Sequence, residues 1–384
     1  MPYLNRALNL KSLLAKKSFF LFGPRGTGKS SLIKHTLGDE AVVINLLRTE
    51  YQMRLISEPN RLHEIIKAEQ RNKTQIVVID EIQKIPALLD EVHRLIEDEG
   101  RRFLLTGSSA RRLKQHGVNL LGGRARRAEL YPLTSQEIPE FNLDRYLRFG
   151  GLPPVWLSKE PEEELDSYIA NYINEEIKAE GAIRKIPPFV DFLRFAALTS
   201  GRVVNFSKLA NDAGVSPPTI SSYYQILEDT LIGSRLEPWR KSTQRKAINT
   251  SKFYLFDTGV TNTLAGTKEV DRNSDLYGNL FEQWIFMELK SYLSYQRVKE
   301  PFTFWRTEDK TEVDFLIGNE LAIECKASRR TNEGDAKGLK SLIEERKVKR
   351  FLLVSNDPVN RVKDKIEYLH WEKFLERLWD GKLI

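Results

Sequence analysis

Short apolar runs alternate with segments of helical periodicity along the first part of the chain. Ser18–Phe22, Ala41–Leu46, Gln75–Ile79 and Phe103–Thr106 read as strands, with Ser30–Leu37, Leu62–Ala68 and Leu88–Glu97 as helices between them. Strand and helix in alternation predict a parallel α/β sheet, because parallel neighbours need a crossover connection. The pattern breaks at the turn formers Gly150-Gly151-Leu152-Pro153-Pro154, and the acidic run Glu160–Asp166 then opens a nearly all-helical stretch reaching about Asp229. Within it, Phe206–Ala210 and Pro217–Tyr223, joined by the turn Ala213–Ser216, have helix-turn-helix spacing. Ser216 is placed to cap the second helix, and Leu231–Pro238 to supply a wing strand. The last part again mixes strands (Lys252–Phe256, Phe302–Trp305, Val313–Ile317, Ala322–Cys325, Phe351–Val354) with helices (Leu280–Tyr292, Lys337–Lys347, Trp371–Leu378). Domains are therefore predicted at 1–150, 151–245 and 246–384.

Composition narrows the classes of function. No apolar run approaches the roughly 20 residues a spanning helix needs. Met1–Arg6 leads to Lys16-Lys17 without a secretory apolar stretch, so a cytoplasmic protein without a membrane partner is expected. The single cysteine, Cys325, excludes an intrachain disulfide, and the five histidines share no motif, so any metal must take oxygen ligands. A net charge of +7 permits nucleic-acid binding without requiring it.

Gly23-Pro24-Arg25-Gly26-Thr27-Gly28-Lys29-Ser30 follows an apolar strand and opens a helix, the context of a phosphate-binding loop. Glycines let backbone amides wrap phosphates, Lys29 brings charge to the β and γ oxygens of ATP, Ser30 is a Mg²⁺ ligand, and Ser31 continues the cradle. Asp80 and Glu81 end the next apolar strand, Asp80 for the Mg²⁺ shell and Glu81 to polarise the attacking water. Ser108, past a third strand, is the γ-phosphate sensor candidate; the alternative is a hydroxyl capping a helix at Arg111-Arg112. Gly122–Arg127 reads as a mobile basic loop. Its Arg124 is an arginine finger for a neighbouring subunit, or else a solvated or DNA-phosphate contact.

Farther on, Glu282 lies on a helix, Asp314 on a strand, and Glu324 and Lys326 two apart on the next, with Gly318-Asn319 as the hairpin turn. Two carboxylates and a lysine on one face suit a Mg²⁺- or Mn²⁺-dependent phosphodiesterase, with Asp314 and Glu324 as ligands. A solvated edge hairpin is the alternative. The helix-turn-helix unit is read as a DNA contact or as helical packing. Arg235, Arg240, Lys241, Arg245 and Lys246 are candidate phosphate partners, and Tyr223, Tyr224 and Trp239 core residues.

Together these residues resemble prokaryotic AAA-type ATPases carrying the domain of unknown function DUF4143. The likeness rests on Gly23–Ser30, Asp80-Glu81-Ile82-Gln83, Leu105–Ser109, Gly123-Arg124 and Gly150–Pro153. It continues through Tyr224–Glu228, Tyr254-Leu255-Phe256-Asp257-Thr258-Gly259 and Gly278–Glu282. The tail resembles the PD-(D/E)xK nuclease superfamily, with Asp314, Glu324 and Lys326 in its signature places and Glu282 in that of the helix glutamate. The resemblance implies a P-loop ATPase core, a winged-helix middle and a restriction-endonuclease-like end. An ATP-hydrolysing protein that binds and processes DNA, as a homo-oligomeric ring or dimer with shared ATP sites, is the resulting expectation. The alternative is a nucleotide-switched regulator that grips DNA without cutting.

Overall fold

The computed structural model describes residues 2–70, 75–108, 111, 113, 121–172, 186–242 and 245–384. Ser109, Arg112 and part of the expected helical stretch (173–185) lie outside these residues. β1 (Ser18–Phe22), β2 (Ala41–Asn45), β3 (Ile76–Asp80), β4 (Phe103–Gly107) and β5 (Ala125–Glu129) form a parallel sheet in the order β2-β3-β4-β1-β5. β1 is buried throughout. Its side chains alternate between two cores, Phe19 and Leu21 in one and Phe20 and Phe22 in the other, as the period of a strand covered on both faces requires. The predicted helices appear at Lys29–Leu37, Leu62–Glu69 and Leu88–Glu99, with a further one at Thr49–Ser57.

The expected mobile loop at Gly122–Arg127 is instead a short helical turn, Leu121–Gly123, running into β5. Charged side chains on this outer strand leave its free edge unattractive for further pairing, which is why it carries no apolar signature.

The second sheet has eight strands: β6 (Gly233–Pro238), β7 (Lys252–Leu255), β8 (Phe302–Arg306), β9 (Glu312–Ile317), β10 (Leu321–Lys326), β11 (Arg350–Ser355), β12 (Arg361–Lys363) and β13 (Ile366–His370). Their order is β12-β13-β11-β10-β9-β8-β6-β7. β6 lies before residue 246, yet it pairs with β8 as well as β7, so the middle and last parts of the chain share a sheet. Helices Ile186–Leu198, Phe206–Asp212 and Pro217–Asp229 precede this pair, and Val203 bridges to Lys252. Ser216 stands at the N-cap, but its hydroxyl meets that of Thr219 (2.9 Å) rather than a backbone amide. Tyr223, Tyr224 and Trp239 are buried. The long helix Asp275–Tyr295 joins a core that runs from Leu8 to Leu383 through both sheets' inner faces. Among the described residues no helix is long and apolar enough to cross a membrane.

Candidate functional site

The glycines of the first loop are required by shape. Gly26 and Gly28 have φ of +75° and +88°, and a Cβ on Gly23 would stand 2.4 Å from the Leu130 carbonyl. Gly28 is the N-cap of helix Lys29–Leu37, whose first amides face the loop. The Lys29 ammonium donates to the Gly23 and Pro24 carbonyls (2.6 and 3.1 Å). The sheet order places β4 beside β1 and β3 one strand farther. The Ser30 hydroxyl lies 3.3 Å from Asp80 Oδ2, and the Thr106 hydroxyl donates to Asp80 Oδ1. Glu81 has φ +64°, its amide reaches Thr106 Oγ1 (3.3 Å), and its carboxylate accepts from the Gln83 side-chain amide. Gly107 is glycine for the sake of this pair, since a Cβ there would come 2.4 Å from Gln83 Oε1.

Lys29, Ser30, Asp80 and Glu81 thus converge as the motifs implied. The hydroxyl on β4 that touches Asp80 is Thr106, two residues before the expected sensor Ser108. Arg124 is not at the loop of its own protomer. Ala125 pairs with Ser18 at the far end of β1, roughly 15 Å away along the strand, and Arg124 pairs with Glu97.

A cavity of about 420 Å³ beside the loop is lined by Arg25, Gly26, Lys29, Ser30, Ser31 and Glu81 on one side. Tyr3, His35, Pro153 and Pro154 close the other. Tyr3 stacks on His35, with centroids 3.8 Å apart and planes 3° from parallel. Arg6 ties this N-terminal arm down: Nη1 donates to the Thr27 carbonyl (2.6 Å), Nη2 to that of Tyr131 (2.6 Å), and Nε pairs with buried Glu137 (3.1 Å). No local motif marks this arm, because Tyr131 and Glu137, which hold Arg6, are more than a hundred residues away.

Gly150–Pro154, read from sequence as a boundary, brings Pro153 and Pro154 to the wall of the cavity. Asp257 Oδ2 accepts the Gly151 amide (2.7 Å), and a Cβ on Gly150 would fall 2.0 Å from Asp257 Oδ1. Burial pushes the Asp257 carboxyl up to about 6, against the pull of the Val260 and Gly151 amides. The Gly150-Gly151-Leu152-Pro153 and Phe256-Asp257-Thr258-Gly259 motifs are therefore two halves of one joint.

The second group of expected residues also comes together. Ile323 pairs with Phe315 across the β9–β10 hairpin, and Asp314 Oδ2 accepts the Cys325 amide (2.8 Å). Lys326 Nζ reaches Glu324 Oε1 (2.6 Å). Glu282 joins them through Lys252, a residue the sequence reading did not single out. Lys252 Nζ is 2.9 Å from Glu282 Oε1 and 3.7 Å from Asp314 Oδ1, and it also pairs with Glu312. Burial, then Glu282 and Glu324, push the Asp314 carboxyl well above the usual range. Burial also pushes Glu324 up to about 7, against the pull of Lys326. Among the described residues no group of three or more His, Cys, Asp or Glu is arranged to hold a metal ion.

The basic residues after the helix-turn-helix unit are engaged within the protein. Arg235 meets Glu228 (3.2 Å), Arg245 meets Glu344 (2.5 Å), Lys246 meets Glu308 (2.7 Å) and Arg240 meets Glu237 (3.8 Å). Lys241 reaches Asn319 (3.5 Å).

Three family models match successive parts of the chain. Residues 15–139 match the model of an AAA domain, 140–271 that of a domain of unknown function, DUF8612, and 277–374 that of another, DUF4143. An uncharacterized protein of Mycobacterium tuberculosis is 27% identical over 252 residues, covering 63% of this chain and 56% of its own. The chain thus spans little more than half the length of that relative. An uncharacterized protein of Methanocaldococcus jannaschii is 24% identical over 381 residues (90% of this chain, 82% of the other). One of Haemophilus influenzae is 23% identical over 297 residues (70% and 72%). By these matches the chain carries an AAA-type nucleotide-binding domain and, toward its C-terminal end, a DUF4143 domain.

Proposed function

We propose that the protein hydrolyses ATP at the Gly23–Ser30 loop and uses the nucleotide cycle to change how its C-terminal half holds DNA. The observation that carries the ATPase reading is the meeting of the segments after β1 and β3: Lys29, Ser30 and Glu81 line one cavity, and Ser30 contacts Asp80. The loop amides and Gly28 cradle the phosphates, and the Lys29 ammonium exchanges the Gly23 and Pro24 carbonyls for phosphate oxygens. Ser30 and Asp80 offer the hydroxyl and carboxylate oxygens that Mg²⁺ takes, and the ion, when bound, supplies charge to the β and γ oxygens. Glu81, held by Gln83, orients the attacking water and takes its proton as the bond to the γ-phosphorus forms. ADP and inorganic phosphate leave. Tyr3 and His35 face the base end of the cavity. Arg124, remote from its own loop, serves a neighbouring copy's site in a ring or dimer.

DNA falls to the exposed face of helix Pro217–Asp229, where Ser221, Ser222 and Gln225 offer uncharged polar groups. Metal-dependent cutting by Glu282, Asp314, Glu324 and Lys326 is the competing reading, favoured by the convergence of those side chains. Duplex, single-stranded and branched DNA, incubated with the protein, Mg²⁺ or Mn²⁺ and either ATP or a non-hydrolysable analogue, tests both. A shift that changes with nucleotide and leaves DNA intact is the expected result. Cleavage lost in Lys326→Ala establishes the competing reading, and absence of binding at low salt contradicts a DNA role.

A further inference from the structure

The C-terminal cluster holds four carboxylates, Glu282, Glu312, Asp314 and Glu324, of which the last two are buried. Lys252, whose side chain is only 3% exposed, sits among the first three. It projects from β7, which reaches the cluster because β7 pairs with β6 and bridges to Val203. Three carboxylates within ion-pair distance offset the burial of its ammonium. The remaining oxygens are mostly spoken for as well. Tyr254 donates to Glu282 (2.5 Å), Arg306 to Glu312 (2.8 Å), the Cys325 amide to Asp314 (2.8 Å) and Lys326 to Glu324 (2.6 Å). Glu324 Oε2 is buried without a hydrogen-bond partner among the described residues, next to Gly338, where a Cβ would approach it to 3.3 Å. Lys252, Lys326 and Arg306 thus already occupy oxygens of all four carboxyl groups. A divalent ion between Asp314 and Glu324 would meet the Lys252 ammonium at Asp314 and the Lys326 ammonium at Glu324, and like charges at such distances repel.

We propose that Lys252 is a resident cation standing in the place of a divalent metal, so that this part of the protein holds its ligand without metal-dependent phosphodiester cleavage. The three carboxylates around Lys252 fix its ammonium in the lining of a pocket shared with Gly201, Arg202, Asn279 and Arg306. Lys252 therefore does the structural work that a metal does elsewhere, binding helix Asp275–Tyr295 to β9, and it requires no loading. The inference goes beyond the ATPase reading and does not depend on it.

The test counts Mn²⁺ bound to the full-length protein by electron paramagnetic resonance, in an Asp80→Asn background that removes the metal ligand at the nucleotide loop. With Lys252 present, no Mn²⁺ site that depends on Asp314 is expected, and Mn²⁺ leaves the thermal unfolding midpoint unchanged. Lys252→Met, which leaves the carboxylates uncompensated, is expected to unfold at lower temperature, to gain one Mn²⁺ site lost again in Lys252→Met/Asp314→Asn, and to recover its midpoint with Mn²⁺ but not with NaCl. Mn²⁺ bound through Asp314 while Lys252 is in place overturns the proposal. So does a folded Lys252→Met that acquires no site. If Lys252→Met does not fold, Lys252→Arg decides: retained charge predicts a folded protein without a Mn²⁺ site, and a site there overturns the proposal. ATP turnover is read separately on the parent protein, so its failure is distinguishable from failure here.

Discussion

Asp257 Oδ2 accepts the amide of Gly151 at 2.7 Å, which ties the wall of the nucleotide cavity to the first helix after β7. The same carboxylate caps that helix through Val260 (3.0 Å), and Gly259 packs against the Phe149 carbonyl so closely that a Cβ would come within 2.2 Å. Pro153 and Pro154, directly after the tethered glycines, line the cavity. A displacement of the wall on nucleotide binding must therefore either move helix Thr258–Ala265 or break this bond. Through it the nucleotide state has a short mechanical path into the half of the chain that carries the eight-stranded sheet.

Gly150→Ala puts a methyl group 2.0 Å from Asp257 Oδ1 at a φ of +74°, so it should be strongly destabilising. Asp257→Asn retains one acceptor and is the better functional probe. It is expected to raise the KM for ATP by about tenfold, the equivalent of about 1.4 kcal/mol, while the protein still folds. Steady-state ATPase kinetics and circular dichroism check both points, and an unchanged KM contradicts the coupling.

Gln83→Ala frees Glu81 without removing it. Because the water-orienting carboxylate is then less well placed, kcat should fall by about tenfold with KM little changed. A rise in KM alone would assign Gln83 to nucleotide binding instead.

Tyr3→Ala removes the ring stacked on His35 in the lining of the cavity. The expected effect is weaker ATP binding with little loss of turnover at saturation, measured by fluorescence titration beside kcat. Arg6→Ala differs, because it leaves Glu137 buried beside an absent partner. A loss of about 3 kcal/mol in unfolding free energy is predicted from denaturant titration.

Glu288 gives the pH dependence. Burial pushes its carboxyl up to about 7, against the pull of the Ser135 amide (2.6 Å) and the Trp379 indole (3.0 Å). Between the ordinary value of 4.5 and about 7 the folded protein keeps a proton that the unfolded chain has released. Stability from this group is therefore full below about 4.5 and falls as pH rises to about 7, by about 3 kcal/mol in all. Glu288→Gln, neutral at every pH, should lose less stability than the parent between pH 5 and 8. Parallel profiles for the two proteins would show that Glu288 stays ionised.

Much of the first sheet was legible in the sequence because β1, β3 and β4 are apolar runs beside recognisable loops. β5 was not, since Ala125-Arg126-Arg127-Ala128-Glu129 carries the charges of an edge strand and lacks apolar alternation. The nucleotide loop could be read locally, whereas Tyr3, Arg6 and Pro153 come to it only through tertiary packing. The acidic cluster was half legible: the hairpin placed Asp314 near Glu324, but Lys252 lies thirty residues before Glu282 and has no motif. Arg245 and Lys246 looked available to phosphates because their partners, Glu344 and Glu308, are far away in sequence.

The measurement that bears most directly on the central claim is release of inorganic phosphate from ATP by the parent protein, Lys29→Ala and Glu81→Gln, with ATP binding followed in the same samples. The account predicts Mg²⁺-dependent turnover in the parent, reduced by roughly 100-fold or more in both variants. Binding should be weakened in Lys29→Ala and retained in Glu81→Gln. Turnover that survives both substitutions, or a parent protein that binds no nucleotide, would contradict it.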